Sequence, residues 1–182
     1  MSGDTGLARL QEIERDQLEA ELRRCFGSVR WASAVAGRAP YSDREALLEA
    51  MESAWEDLPQ EEWLAAIQDH PRIGESGGDA RFAATRRWSR DEQSGVSDVG
   101  PSTRAALTQH QAEYEARFGY VFLICATGKS GEEILTALRA RSRNDPETEL
   151  AIASEELRKI AILRLAKLLQ ELGSGASWEA RT

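Results

Sequence analysis

The chain of 182 residues has two histidines, and His70 is the better placed of them for proton transfer. It lies in AIQDHPRIGE, directly before a proline and four residues before a glycine, so the chain turns there and the ring can face a cleft. Its ordinary pKa of about 6.5 suits acid–base chemistry near neutral pH. The structural alternative is a histidine that satisfies the last carbonyl groups and the dipole of a helix.

A second polar cluster, WSRDEQSG, contains Ser89, Glu92 and Gln93. A carboxylate with hydroxyl and amide groups beside it suits a planar ligand that carries several amide groups. Ser-x-x-Glu is also the form of a capping box, so a purely structural role stays open. The residues after Glu92, QSGVSDVGPS, lack the apolar periodicity of a helix, which favours the binding role.

The third candidate is the apolar run that ends in Thr127, Gly128 and Lys129, ahead of a predicted helix N-terminus. Backbone amides exposed there can hold a carbonyl or carboxylate group. The GKS triplet resembles the end of a phosphate-binding loop, but that motif needs glycine where this chain has Leu123, so nucleotide binding is not expected. Cys125, inside the run, is predicted to be a small buried hydrophobic residue.

Arg164 lies in KIAILRLAKLL among residues predicted to be buried. A buried guanidinium needs an anionic or carbonyl partner, which is either a ligand or an acid such as Glu156. The second histidine, His110, has polar neighbours within a predicted helix and is expected at the surface.

Apolar residues recur every three to five positions over most of the chain, which predicts helices almost throughout. Helix starts are predicted from N-capping patterns at Ser42 with Glu45, at Ser130 with Glu133, and at Asp145 with Pro146. The β-rich run from Tyr120 to Ala126 has no strong partner strand in the sequence and is predicted to be an unpaired buried segment. Residues 74–80 are predicted to form a turn. The expected fold class is therefore all-α, a single-domain multi-helix bundle over residues 1–172 with a flexible tail at 173–182.

Composition excludes several classes of function. The chain has 31 acidic and 23 basic residues, and a net charge of −8 argues against nucleic-acid partners and anionic membranes. No apolar stretch approaches the roughly 20 residues of a membrane span, and the start of the chain does not resemble a signal peptide, so a cytosolic protein is expected. Two cysteines and two histidines are too few for a disulfide framework or a His-rich metal site, so no metal is predicted.

Taken in order, these segments resemble the family of OHCU decarboxylases, where OHCU is 2-oxo-4-hydroxy-4-carboxy-5-ureidoimidazoline. The resemblance covers about residues 5–172. It is carried by five segments in chain order: HPRIG, SRDEQSG, Tyr114 with FGYVF four residues later, Arg141 and Asn144 with Glu149, and KIAILRL. It implies an all-α single-domain lyase without a cofactor, often a homodimer. The implied reaction converts OHCU to (S)-allantoin and CO2, the last step from urate to allantoin.

The resemblance also implies a set of site residues. The family's catalytic histidine falls on His70 and its active-site glutamate on Glu92. The ligand-contacting positions fall on Pro71, Ser89, Arg90, Asp91, Gln93, Ile124, Cys125, Ala126, Thr127, Gly128 and Arg164. Two departures are noted: relatives tend to carry asparagine where this chain has His110, and the terminal ART is not a peroxisomal address, which favours a bacterial cytosolic protein.

Two other functions compete with this interpretation. An acidic helical protein-interaction module would use His70 and Glu92 only as helix caps and would expose an apolar groove. A histidine–glutamate hydrolase would need a nucleophile or a metal, and Ser89 has no triad-like surroundings.

Overall fold

The computed structural model describes residues 4–74, 88, 91–92, 94–97 and 99–174. The helices are α1 (Thr5–Glu12), α2 (Arg15–Cys25), α3 (Val29–Ala36), α4 (Arg44–Glu56), α5 (Gln60–Gln68), α6 (Ser94–Ser97), α7 (Pro101–Phe118), α8 (Gly131–Arg141) and α9 (Pro146–Gly173). No strand occurs among the described residues, so the all-α prediction is confirmed. None of the helices in this part of the chain is long and apolar enough to cross a bilayer.

Side-chain caps account for where several helices begin. The predicted capping box before α8 is present: the Ser130 hydroxyl accepts from the Glu133 N–H at 3.2 Å, and the Glu133 carboxylate accepts from the Ser130 N–H at 2.7 Å. At α9, Asp145 accepts from the Thr148 N–H at 2.9 Å, which confirms its predicted role as N-cap.

The predicted cap of α4 is wrong by one residue. Asp43, not Ser42, is the N-cap, and its carboxylate accepts from the Ala46 N–H at 2.9 Å. The Ser42 hydroxyl donates to Asp43 at 3.0 Å, so it supports the capping carboxylate and does not bond to the helix itself.

The chain divides into two compact units, and the first consists of Met1–Glu62 and Ile160–Thr182. Its core is aromatic: the Phe26 ring lies 5.5 Å from that of Trp31 and 4.8 Å from that of Trp55, centroid to centroid. All three side chains are buried, and they anchor α2, α3 and α4 to one another.

The second unit, Trp63–Lys159, contains most of the predicted site residues. Its centre is Tyr114 on α7, whose ring packs edge-on against Phe122 at 5.2 Å. The run from Tyr120 to Ala126 has no regular secondary structure, and all of it except Val121 is buried, which confirms the prediction of an unpaired buried segment.

Parts of two predicted segments lie outside the described residues. These are residues 75–80 of the predicted turn and residues 175–182 of the predicted tail. Helix α9 runs through Gly173, one residue into that tail. The single-domain organisation over residues 1–172 remains a prediction.

Candidate active site

His70 lies just beyond the end of α5 and is half-buried. Its ring nitrogen Nδ1 is 2.7 Å from the carbonyl oxygen of Ala66 in the last turn of that helix. Because a carbonyl oxygen can only accept a hydrogen bond, Nδ1 carries the proton of the neutral ring, and protonation changes occur at Nε2. A histidine that bonds to a carbonyl group at the end of its helix is what the structural role predicted. The same hydrogen bond keeps the proton on Nδ1 and leaves Nε2 available for acid–base chemistry.

The residues after His70 are clamped to one face of α7. Gln111 is buried, and its amide pairs with the backbone of Ile73: it accepts from the N–H at 2.8 Å and donates to the carbonyl at 3.1 Å. One turn further on, Glu115 accepts two hydrogen bonds from the Arg72 guanidinium, both at 2.7 Å. Gln111 and Glu115 thus hold the residues that directly follow His70, where the chain leaves α5.

No strand among the described residues lies beside the segment from Leu123 to Gly128, so other groups satisfy its backbone. The Leu123 carbonyl accepts from Arg141 Nη1 at 2.8 Å, and the Cys125 N–H donates to Glu156 Oε2 at 2.8 Å. The Ala126 carbonyl accepts from the Lys129 N–H at 3.0 Å and closes a turn in which Gly128 has a φ of 77°, a conformation that favours glycine. Ile124 to Ala126 are buried, whereas Thr127 and Gly128 are exposed.

A buried ionic network lies behind this segment. Glu149 on α9 has no exposed surface, and its carboxylate accepts from Arg141 Nε at 2.9 Å and Nη2 at 2.6 Å. It also accepts from the Asn144 amide at 2.8 Å and from the Tyr114 hydroxyl. Burial raises the pKa of Tyr114, and the hydrogen bond to Glu149 acts in the same direction, so the phenol stays protonated and donates. Arg141 therefore reaches Leu123 from a fixed position.

Glu92 is a buried carboxylate close to this segment. Burial raises the pKa of the Cys125 thiol, and the negative charges of Glu156 and, more weakly, Glu92 act in the same direction. The residues that follow Glu92 pack directly on the loop: a Cβ added to Gly95 would lie 2.2 Å from the Lys129 carbonyl oxygen. The structure thus brings Glu92 to the segment that the sequence predicted as the third part of the site.

The predicted site residues fall into three groups. His70, Pro71, Asp91, Glu92 and Ile124 through Gly128 all belong to the second unit, where Asp91 is exposed. Ser89, Arg90 and Gln93 lie outside the described residues. Arg164 belongs to the first unit; it is buried as predicted, and its positive charge lies near Cys25, whose pKa burial nevertheless raises to about 12.

The second histidine has a different setting from His70. His110 is half-buried on α7; its Nδ1 lies 3.0 Å from the Glu113 carboxylate and its Nε2 accepts from Arg139 Nε at 3.2 Å. Across the described ranges, 4–74, 88, 91–92, 94–97 and 99–174, no group of three His, Cys, Asp or Glu side chains is placed to hold a metal ion. The cofactor-free and metal-free expectations remain predictions.

The sequence analysis did not assign three residues to the site, namely Gln111, Glu115 and Glu156, and it named Glu156 only as an acid that could pair with Arg164. Each bonds to a partner between 31 and 43 positions away in the chain. Pairs so distant leave no trace in local periodicity. The available signal was the four-residue spacing of Gln111 and Glu115, which places both on one face of α7.

Comparison with known proteins identifies the class and then the family. The helical fold of the described residues is shared with a solved decarboxylase. Residues 11–166 match the family model of OHCU decarboxylase, and the chain belongs to this family. It resembles a crystal structure of OHCU decarboxylase in the presence of (S)-allantoin, with a TM-score of 0.69 and 31% identity over 87% of this chain and 99% of that one.

Sequence relatives agree with this assignment. The chain is 34% identical over 157 residues to the uric acid degradation bifunctional protein TTL of Arabidopsis thaliana, covering 84% of this chain and 48% of that protein. It is 32% identical over 141 residues to the OHCU decarboxylase of Amia calva, covering 76% and 79% respectively. The chain therefore spans about half the length of the bifunctional plant relative and most of the length of the fish enzyme.

Proposed function

We propose that this chain catalyses the decarboxylation of OHCU to (S)-allantoin and CO2, as the last step from urate to allantoin. The observation that carries the proposal is its likeness to nearly the full length of a solved OHCU decarboxylase at 31% identity. The arrangement around His70 supports the same activity, because its tautomer is fixed and its backbone is clamped.

The substrate supplies the electron sink for this reaction. Its carboxylate is bonded to a ring carbon next to a C=N bond, so breaking the bond to the departing CO2 moves the electron pair onto that nitrogen. That nitrogen takes up a proton, the hydroxyl loses its proton as the C=O bond forms, and one proton is added to the ring carbon that carries the ureido group. Atoms and electrons balance, and the protein has to supply orientation, stabilisation of the delocalised charge and one stereospecific proton.

In this proposal the Nε2 atom of His70 exchanges the proton, either with the substrate hydroxyl or with the ring carbon. The hydrogen bond from Nδ1 to Ala66 keeps the same ring nitrogen available in every cycle. Glu92 orients His70 or the hydroxyl and ureido groups from its buried position beside the loop.

The remaining proposed contacts bind the polar edges of the substrate. Backbone amides near Ala126 to Gly128 bind its carbonyl oxygens, and Pro71, Asp91, Ile124 and Cys125 line the site. Ser89, Arg90 and Gln93 are assigned to the same task from the family resemblance alone. Arg164 is assigned to the substrate carboxylate from the family resemblance alone, with a structural ion pair as the alternative.

The test is turnover of freshly generated substrate. OHCU is made in situ from urate with urate oxidase and hydroxyisourate hydrolase, and circular dichroism follows the appearance of (S)-allantoin. The wild-type chain should accelerate this signal strongly over the enzyme-free reaction. His70→Ala should lower kcat by a factor of about 100 to 10,000, the range that a general acid or base contributes.

His110→Ala is the matched control, because it removes the only other histidine from the same unit. It should retain activity within about twofold, since it loses only partly exposed surface contacts. Racemic allantoin formed at the spontaneous rate by the wild-type chain would refute the proposed function and favour a protein-interaction module.

We propose further, from the family resemblance, that the chain is a cytosolic homodimer. Both cysteines are free and buried, which is compatible with a reducing compartment. Light scattering coupled to size-exclusion chromatography tests the oligomeric state, and a mass near the 20.2 kDa of one chain would exclude the dimer.

A further inference from the structure

Glu156 holds the main chain of the predicted substrate-binding segment at Cys125. Its Oε2 accepts the Cys125 N–H at 2.8 Å, and its side chain is only 13% exposed. Because no described residue forms a strand beside the segment, a side-chain acceptor takes the place of the one that a sheet would provide. The carboxylate therefore fixes the peptide plane between Ile124 and Cys125.

The same segment is held a second time, two residues earlier. Arg141 donates to the Leu123 carbonyl and is itself held by Glu149. Glu149 and Glu156 are seven positions apart on α9, which places them on one face of that helix, two turns from each other. The two attachments bracket Ile124, and the chain then leads directly into the exposed turn at Thr127 and Gly128.

We infer that Glu156 is a positioning residue for the decarboxylation, acting through the Cys125 N–H on the main-chain groups that receive the substrate. This inference rests on the proposed function. Glu156 keeps the backbone from Cys125 to Gly128 in one orientation, so its amides do not have to be ordered when the substrate binds. Removing the acceptor lets the peptide plane rotate and misaligns the groups that follow it.

A purely structural role for Glu156 has to be separated from this one. Its second oxygen accepts from the Lys159 ammonium at 2.7 Å, and this hydrogen bond raises the pKa of Lys159. Lys159 is 48% exposed, and ion pairs in such surroundings contribute little to stability. Lys159→Ala therefore tests the ion pair alone, because it leaves the bond to Cys125 in place.

The chain also offers a matched control one residue away. Glu155 forms an ion pair of the same spacing with Arg158, at 2.7 Å, on the same turn of α9, and its side chain is 45% exposed. Glu155→Ala thus removes a carboxylate and an i,i+3 ion pair without touching the segment at Cys125.

The experiment compares Glu156→Ala, Glu156→Gln, Lys159→Ala and Glu155→Ala in the circular dichroism assay. Glu156→Ala should raise KM about tenfold and leave kcat within about twofold. The misaligned main chain would then lose about one hydrogen bond to the substrate, equally in the ground state and the transition state. Glu156→Gln keeps an amide oxygen that can accept the Cys125 N–H, so it should recover most of the loss. The two control variants should retain the wild-type KM.

A second measurement reads the hydrogen bond without substrate. In ¹H–¹⁵N spectra the Cys125 amide proton should move upfield in Glu156→Ala and stay near its wild-type position in Lys159→Ala and Glu155→Ala. If the wild-type chain does not turn over OHCU but the amide signal behaves as expected, the proposed function is refuted while the hydrogen bond between Glu156 and Cys125 is confirmed.

Three results would overturn the inference itself. One is an unchanged Cys125 amide signal in Glu156→Ala. Another is a KM for Glu156→Ala equal to that of Glu155→Ala in an active enzyme. The third is loss of function in Lys159→Ala that equals the loss in Glu156→Ala, because the ion pair would then explain the effect.

Discussion

Replacing Glu149 by alanine removes a fully buried carboxylate that four donor groups share. Two of them belong to Arg141, and the others to Tyr114 and Asn144. Arg141, itself 8% exposed, would keep its bond to the Leu123 carbonyl but would be a buried charge without its carboxylate partner. Loss of one partner from a buried ion pair costs about 3–5 kcal/mol of unfolding free energy.

For a chain of this size each kcal/mol lowers the melting temperature by about 2–4 °C, so Glu149→Ala should lower it by roughly 6–20 °C. Tyr114→Phe alone removes one donor to a charged acceptor and should cost about 1.5–3 kcal/mol, with the ring still packed against Phe122. In the Glu149→Ala background the hydroxyl has lost its acceptor, so the same change should cost less. The expected coupling energy is about 0.5–3 kcal/mol.

Urea unfolding of the wild type, both single variants and the double variant measures this cycle. Glu147→Ala is the control, because Glu147 is an exposed acid in the first turn of the same helix. It should change the unfolding free energy by no more than about 1 kcal/mol. A loss below about 1 kcal/mol for Glu149→Ala, or equal costs of Tyr114→Phe in both backgrounds, would show that the network does not support the fold as described.

Two further predictions concern packing and pH. Gly95→Ala should cost about 1–3 kcal/mol of stability in thermal melts, because its methyl group would meet the Lys129 carbonyl, whereas Gly27→Ala, with open space around it, should be nearly neutral. The pKa of Cys25 is raised to about 12 from 9.0, so its stabilising contribution is complete below pH 9 and is lost as pH rises from there towards 12. The unfolding free energy of Cys25→Ala should therefore fall less steeply between pH 9 and 10 than that of the wild type, by up to about 1.4 kcal/mol per pH unit. Urea unfolding at a series of pH values measures both slopes, and equal slopes would contradict the prediction.

Local chemistry explains which helix ends could be predicted. The box at Ser130 and Glu133 depends on two side chains three positions apart, and both bonds form within one turn. The same pattern at Ser42 and Glu45 fails because Asp43 is the stronger acceptor and lies one position nearer to the helix. A motif of two residues cannot report on such competition from a neighbour.

The candidate site was only partly accessible to sequence reasoning. His70 and Glu92 stand out because their residue types carry acid–base chemistry and their neighbours break the helical pattern. Gln111 and Glu156 have ordinary helical surroundings, and their roles depend on backbone groups 38 and 31 positions away. Such roles follow from the packing of whole elements, which periodicity predicts only as apolar faces.

The irregular run from Tyr120 to Ala126 has a consequence for how such a protein can change. Its side chains fill the core, while its peptide groups have the same N–H and C=O chemistry whichever residue carries them. A point mutation there alters side-chain volume and leaves the peptide groups as they were. A change in the orientation of these peptide groups would therefore have to come from the helices that hold the run, for example from Glu156, whose carboxylate accepts the Cys125 N–H.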